Sequence, residues 1–231
     1  DPDASLDAIA TAAGLSRQLA ELLAALKIDR PVIVVGQSYG GLMCALHAAQ
    51  IPQLVESVVL VDATPTDSDP VVDKQLGAIK GIARLMILCA RLGFALPMFA
   101  AAGKNLPQPA GSLMVRQSFG SASSLRAALG EMEVLGDIRK AIAAVDHGQR
   151  RLVISSGKAT EMKGLAARLM ASSEKARELI GIMQKQHKLY CSRSRQGQWM
   201  ELPHTHGDLV FTEAGSADVA ASIRAFLGSL T

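Results

Sequence analysis

Aromatic side chains are scarce in this chain, at 3% of 231 residues. A nucleic-acid surface combines basic runs with stacking aromatics, whereas the formal charge of +3 is spread thinly here with no basic run, so nucleic-acid binding is disfavoured. Cysteine is nearly as rare. Cys44, Cys89 and Cys191 are odd in number and show no C-x-x-C spacing, which argues against a disulfide framework and a cysteine-rich zinc site and leaves reduced, mostly buried thiols. No charged-then-apolar segment opens the sequence, so no secretion signal is expected and a cytoplasmic location is the expectation. Long apolar runs are missing too. Residues 82–102 come nearest to a membrane span, but Arg84 and Arg91 lie inside and Gly93 and Pro97 interrupt it. Each arginine costs about 2.5 to 3.5 kcal/mol at a bilayer centre, so no transmembrane span is expected. No internal repeat or low-complexity segment occurs.

What is present is apolar bulk. A hydrophobic content of 49% over this length predicts one main globular domain, with room for an inserted subdomain. Residues 5–27 carry Leu6, Ile9, Ala13, Leu19, Leu22, Leu23 and Leu26 on one side of an amphipathic helix. Pro31 ends the break that follows, and Val32-Ile33-Val34-Val35 reads as a strand. Residues 42–49 read as a helix, and Ser57-Val58-Val59-Leu60-Val61-Asp62 as a second strand buried on both faces. Strand, helix, strand with such runs predicts a parallel sheet. Between residues 64 and 149 only helical patterns appear, at 76–92, 98–102, 112–119, 123–135 and 137–145. This stretch is expected to be a helical cap inserted into an α/β core formed by residues 1–63 and 150–231. A third strand is expected at 151–157, a long helix over about 161–188, a fourth strand at 198–202 and a closing helix over 215–230.

The chemistry is expected at Gly36-Gln37-Ser38-Tyr39-Gly40-Gly41, directly after the first strand. In a G-x-S-x-G turn between strand and helix the serine takes a strained backbone conformation that lifts its hydroxyl above the sheet edge. The flanking glycines let strand and helix pass without a Cβ clash. The backbone N–H of Tyr39, at the start of the next helix, then points at the oxygen that becomes negative during acyl transfer. A serine needs a base, and the base a carboxylate to orient it, in the chain order Ser, acid, His for this kind of turn. His206 lies between the last strand and the last helix and is followed by Gly207, which suits a loop that approaches the serine. His204 is its nearest competitor; His47, His147 and His187 fit plain structural or surface roles. Two carboxylates at strand ends compete for the acid, Asp62 after the second strand and Glu161 after the third, with Asp208 behind them. The residue pattern leaves Asp62 and Glu161 open.

His204-Thr205-His206-Gly207-Asp208 also reads as H-x-H-x-D, an arrangement similar to that of metallo-β-lactamase-like hydrolases. Asp208 is followed by leucine rather than histidine, and no His or Cys follows to complete a site, so neither a metal nor another cofactor is expected.

Three stretches carry a family resemblance: Leu22-Leu23-Ala24-Ala25-Leu26, then Val34-Val35-Gly36-Gln37-Ser38-Tyr39-Gly40-Gly41, then Val59-Leu60-Val61-Asp62. With the tail from Leu202 to Leu227, they make the chain resemble the α/β-hydrolase superfamily, in particular bacterial serine hydrolases of the proline iminopeptidase and esterase type. The resemblance implies an eight-stranded, mostly parallel sheet with Ser38 as nucleophile and His206 as base. It also brings out a departure. The family normally begins with about four strands and a His-Gly loop that supplies a second oxyanion N–H, and here the sequence starts at the helix that follows them, as in an N-terminally truncated form. Losing one oxyanion donor typically costs about a hundred- to a thousandfold in rate. The expected activity is hydrolysis of an ester, thioester or similar acyl bond of a small apolar substrate through an acyl-enzyme. The alternative is a non-hydrolytic protein of the same fold, either a ligand-binding or scaffold protein or a lyase or cofactor-free oxidoreductase using the same triad.

Overall fold

The computed structural model describes residues 11–94, 113, 121–145, 148–159 and 173–228. Two compact units emerge, one formed by Asp1–Ser68 with Asp137–Thr231 and the other by Asp69–Gly136.

The first unit is built on a four-stranded sheet in the order β1-β2-β3-β4, every pair parallel. Its strands are β1 (Val32–Gln37), β2 (Val55–Val61), β3 (Arg150–Ser156) and β4 (Gly197–Leu202). Only these four of the eight strands implied by the resemblance occur among the described residues. β2 and β3 are central and buried along almost their whole length, which explains their continuous apolar runs. β1 is an edge. Val35 is 52% exposed because no described strand lies beyond it.

Helices join and cover the strands: α1 (Ala12–Ala25), α2 (Tyr39–Gln50), α5 (Leu135–Ala143), α6 (Ser173–Ser192), α7 (Asp208–Phe211) and α8 (Glu213–Gly228). Thr11 caps α1 by accepting the Gly14 N–H through its hydroxyl. Alternation along the strands sends Val59, Val61, Leu152 and Ile154 to one face, where they pack with Leu209 and Phe226 into the main core. Full burial of each such side chain contributes about 1.5 to 3 kcal/mol. The opposite face buries Val58, Leu60 and Val153, and α6 packs against β3 and β4.

The second unit holds α3 (Pro70–Arg91) packed with α4 (Ala122–Glu133). α3 starts where Asp69 accepts the N–H groups of Val71 and Val72 and Pro70 occupies the first helical turn. The helices expected at 98–102 and, apart from residue 113, at 112–119 fall outside the described residues, as does His147. No helix among the described residues is long and apolar enough to cross a membrane.

Register decides what the sheet presents at its carboxyl edge. Gln37 pairs with Val61, Val61 with Ile154, and Ile154 with Met200, so β1 and β2 end together two residues short of the ends of β3 and β4. The residues that follow, Ser38 and Asp62 among them, therefore gather at one edge, where open parallel sheets place their ligands.

Candidate active site

Ser38 sits between β1 and α2 with φ 54° and ψ −124°, a left-handed conformation costly for a residue with a Cβ. Backbone bonds hold it there. Its N–H donates to the Val61 carbonyl at 3.1 Å, and its carbonyl accepts from Gly41 at 3.1 Å and Thr64 at 2.9 Å. The Ser38 hydroxyl makes no capping bond to the helix it precedes. Tyr39 is the first residue of that helix.

The glycines do not share the steric burden as expected. A Cβ on Gly36 would lie 2.3 Å from the Gly40 carbonyl oxygen, and one on Gly41 would lie 2.5 Å from the Ala63 Cβ, whereas one on Gly40 would meet open space. The close crossing therefore depends on Gly36 and Gly41, because the first turn of the helix leans both on the strand and on the Asp62–Thr64 turn.

Asp62 directly follows β2 with φ 44°, a conformation that Asp tolerates better than most residues. Its N–H donates to the Ile154 carbonyl at 2.6 Å. One carboxylate oxygen, Oδ1, accepts the Ser156 N–H at 2.9 Å, and the other, Oδ2, lies 2.7 Å from Nδ1 of His206. Burial alone would raise this carboxyl, which is 5% exposed. The His206 hydrogen bond, followed by that from Ser156, outweighs burial and holds Asp62 below the usual carboxylate range. A carboxylate only accepts, so Nδ1 of His206 carries a proton, and in the neutral ring Nε2 keeps its lone pair. The imidazole is 43% exposed, within reach of solvent or a substrate.

The histidine loop is tied to the serine turn by a bond that sequence reasoning missed. The Gln37 amide donates through Nε2 to the His206 carbonyl at 2.8 Å. Gln37 stands immediately before Ser38, and the two partners are 169 positions apart, so no local pattern exposes the contact.

The remaining candidates go elsewhere. His204 pairs through Nε2 with Asp218 at 2.8 Å, so the two imidazoles of H-x-H-x-D face different carboxylates. Asp208 accepts the Thr205 N–H at 3.4 Å and so closes its own turn. Among the described residues no group of three His, Cys, Asp or Glu side chains is placed to hold a metal ion. Glu161 lies outside the described residues. His47 lies 3.1 Å through Nδ1 from the Ser16 hydroxyl and joins α1 to α2. His187 is 3% exposed and enclosed in polar contacts.

Comparison with known proteins bears on the whole arrangement. Residues 10–86 match the model of a family described as the alpha/beta hydrolase fold. An α/β hydrolase from a Medee basin deep-sea metagenome, MGS-M2, superposes with a TM-score of 0.58 at 17% identity, covering 92% of this chain and 70% of its own. The chain has the α/β-hydrolase fold. Two further structures match at similarly low identity. A carboxylesterase from the ammonia-oxidizing thaumarchaeon Nitrososphaera gargenis gives a TM-score of 0.61 at 16% identity, over 96% of this chain and 74% of its own. A thermophilic esterase from Thermogutta terrifontis gives 0.58 at 15%, over 95% and 72%. A comparison with curated proteins found no match.

Proposed function

We propose that the protein is a serine hydrolase of the carboxylesterase type, with Ser38 as nucleophile, His206 as base, Asp62 as the orienting acid and the Tyr39 N–H as oxyanion donor. The observation that carries this reading is the Asp62–His206 pair at 2.7 Å, set on the same sheet edge as a serine at φ 54°. Asp62 rather than Glu161 takes the acid role because it is the carboxylate bonded to the base.

In the proposed reaction Nε2 of His206 takes the Ser38 proton as Oγ bonds to the substrate carbonyl carbon. The carbonyl π electrons move onto oxygen beside the Tyr39 N–H. Collapse of that intermediate expels the alcohol or thiol, which leaves with the proton from His206. Water then repeats the sequence on the acyl-enzyme, releasing the acid and restoring Ser38. Asp62 stays ionised throughout and stabilises the imidazolium.

The acyl group is proposed to be small and apolar, and the helical unit is proposed to be a cap inserted in the sequence between β2 and β3. What supports this is a row on α3 and just beyond it, where Ile82, Leu85, Leu88 and Leu92 are 45 to 61% exposed at helical spacing. A fluorophosphonate probe tests the chemistry. Labelling at Ser38 is expected, dependent on His206, and failure to label the folded protein overturns the reading. A series of p-nitrophenyl esters tests the acyl preference. Each added methylene is expected to raise kcat/KM by up to about fourfold until the pocket is full, from roughly 0.8 kcal/mol per buried CH₂. A flat or falling profile from the two-carbon acyl group onward would refute it.

A further inference from the structure

Beside the Asp62 turn, α6 presents two donors one turn apart. Nε2 of His187 lies 2.8 Å from the Ala63 carbonyl, and Nε2 of Gln184 donates to the Ser156 carbonyl at 2.9 Å. Ala63 follows Asp62 in the chain, and Ser156 is the residue whose N–H binds the Asp62 carboxylate. The helix thus grips both pieces of backbone that hold this carboxylate.

Donor counting fixes the orientation of every group. The Ala63 carbonyl only accepts, so Nε2 of His187 carries the hydrogen. Nδ1 of a neutral ring then accepts, and its partner is the Ser155 hydroxyl at 2.8 Å. Ser155 Oγ in turn accepts the Trp199 indole N–H at 2.9 Å. The chain Trp199, Ser155, His187, Ala63 therefore runs in one direction with each hydrogen placed. Burial, which lowers the pKa of His187, favours the neutral ring that this pattern requires.

Attaching a helix to a sheet needs none of this, because apolar residues at 155, 187 and 199 would do it without desolvating an imidazole. What the circuit adds is a fixed direction for the peptide after Asp62. That residue has φ 44°, and without a partner for the Ala63 carbonyl the turn is free to relax and swing the carboxylate.

We propose that His187, assisted by Gln184, is a positioning residue for Asp62, holding the Asp62–Ala63 turn so that the carboxylate stays aimed at His206. This rests on the serine-hydrolase reading, with Asp62 as its acid. The decisive variants differ in which ring nitrogen they imitate. In His187→Gln the amide nitrogen reaches the position of Nε2 and keeps a donor for Ala63; in His187→Asn the amide ends near Nδ1 and the donor is lost.

The full chain and both variants are assayed by p-nitrophenyl ester kinetics and fluorophosphonate labelling, with circular dichroism and melting curves alongside. The expected result is a fall in kcat on the order of tenfold to a hundredfold for His187→Asn with KM little changed, the size that misplacement of a catalytic group produces. His187→Gln is expected to stay near wild type in kcat, although both variants melt earlier. The low-field proton signal of the Asp62–His206 hydrogen bond is expected to shift in His187→Asn and to hold in His187→Gln. A folded His187→Asn with wild-type kcat, or both variants losing activity in step with their melting temperatures, overturns the proposal. If His187→Asn does not fold, Gln184→Met decides. A fall in its kcat at constant KM supports the role and an unchanged kcat refutes it. Wild-type protein that neither hydrolyses esters nor labels at Ser38 would instead overturn the hydrolase reading, and this role with it.

Discussion

Replacing Asp62 with asparagine changes the fewest things while striking the proposed mechanism at one atom. Asparagine matches aspartate in shape and tolerates a positive φ, so the turn at φ 44° survives. Its carbonyl oxygen can still accept the Ser156 N–H, now 2.9 Å from Oδ1. The change falls on the other oxygen, 2.7 Å from Nδ1 of His206, where an NH₂ group replaces an acceptor. Two donors cannot face each other, so the imidazole shifts its proton to Nε2 and presents an N–H to Ser38 where a lone pair is needed. The wrong tautomer in a Ser-His-Asp triad costs about 10⁴ in kcat, or roughly 5.5 kcal/mol at 1.36 kcal/mol per tenfold. The assay is ester hydrolysis at saturation, paired with fluorophosphonate labelling and a melting curve. Asp62→Asn is expected to lose about four orders of magnitude with KM and folding little changed, and Glu161→Gln to be mild. A folded Asp62→Asn within tenfold of wild type would refute the reasoning, and a severe Glu161→Gln would move the acid role there.

Three further outcomes test the geometry. Gly41→Ala is expected to lower stability by about 1 to 3 kcal/mol, because its Cβ would lie 2.5 Å from that of Ala63, while Gly40→Ala, facing open space, leaves the melting temperature nearly unchanged; equal melting temperatures would contradict this. Gln37→Glu sets a carboxylate oxygen against the His206 carbonyl where an N–H now donates at 2.8 Å, and kcat is expected to fall on the order of tenfold or more; wild-type turnover would show that the loop is held by other means. Burial lowers the pKa of His187, so between that lower value and its ordinary 6.5 the unfolded chain binds more protons than the folded one. Stability is therefore complete above pH 6.5 and declines as the pH falls below it, at up to about 1.4 kcal/mol per pH unit from this residue. Denaturant titrations at several pH values are expected to show that slope, shallower in His187→Gln, and an unchanged slope would refute the assignment. Asp62, whose pKa is lowered, adds a second loss only once the pH drops below about 3.8.

The amino-acid sequence by itself determined what depends on neighbours in the chain. Four β-branched residues followed by Gly36-Gln37-Ser38-Tyr39-Gly40-Gly41 specify a strand, a strained turn and a helix, because periodicity and missing Cβ atoms act over a few residues. The apolar runs of β1 and β2, joined through a helix, likewise announced a parallel sheet with β2 buried on both faces, and the place of His206 between the last strand and the last helix marked it as a candidate base. The tertiary structure decided whatever depends on partners far apart in sequence. Asp62 and His206 are 144 positions apart, and only the register of parallel strands, one ending at Val61 and the next at Ser156, brings that carboxylate to the imidazole. The same holds for Gly41, whose missing Cβ is needed because Ala63 of the Asp62–Thr64 turn packs against it. His187 read as a structural or surface histidine at a helix end, because a side chain 3% exposed in the fold carries no mark of burial in the sequence. Local patterns fix φ, ψ and exposed faces, whereas hydrogen-bond partners are set by which backbones the sheet lays side by side.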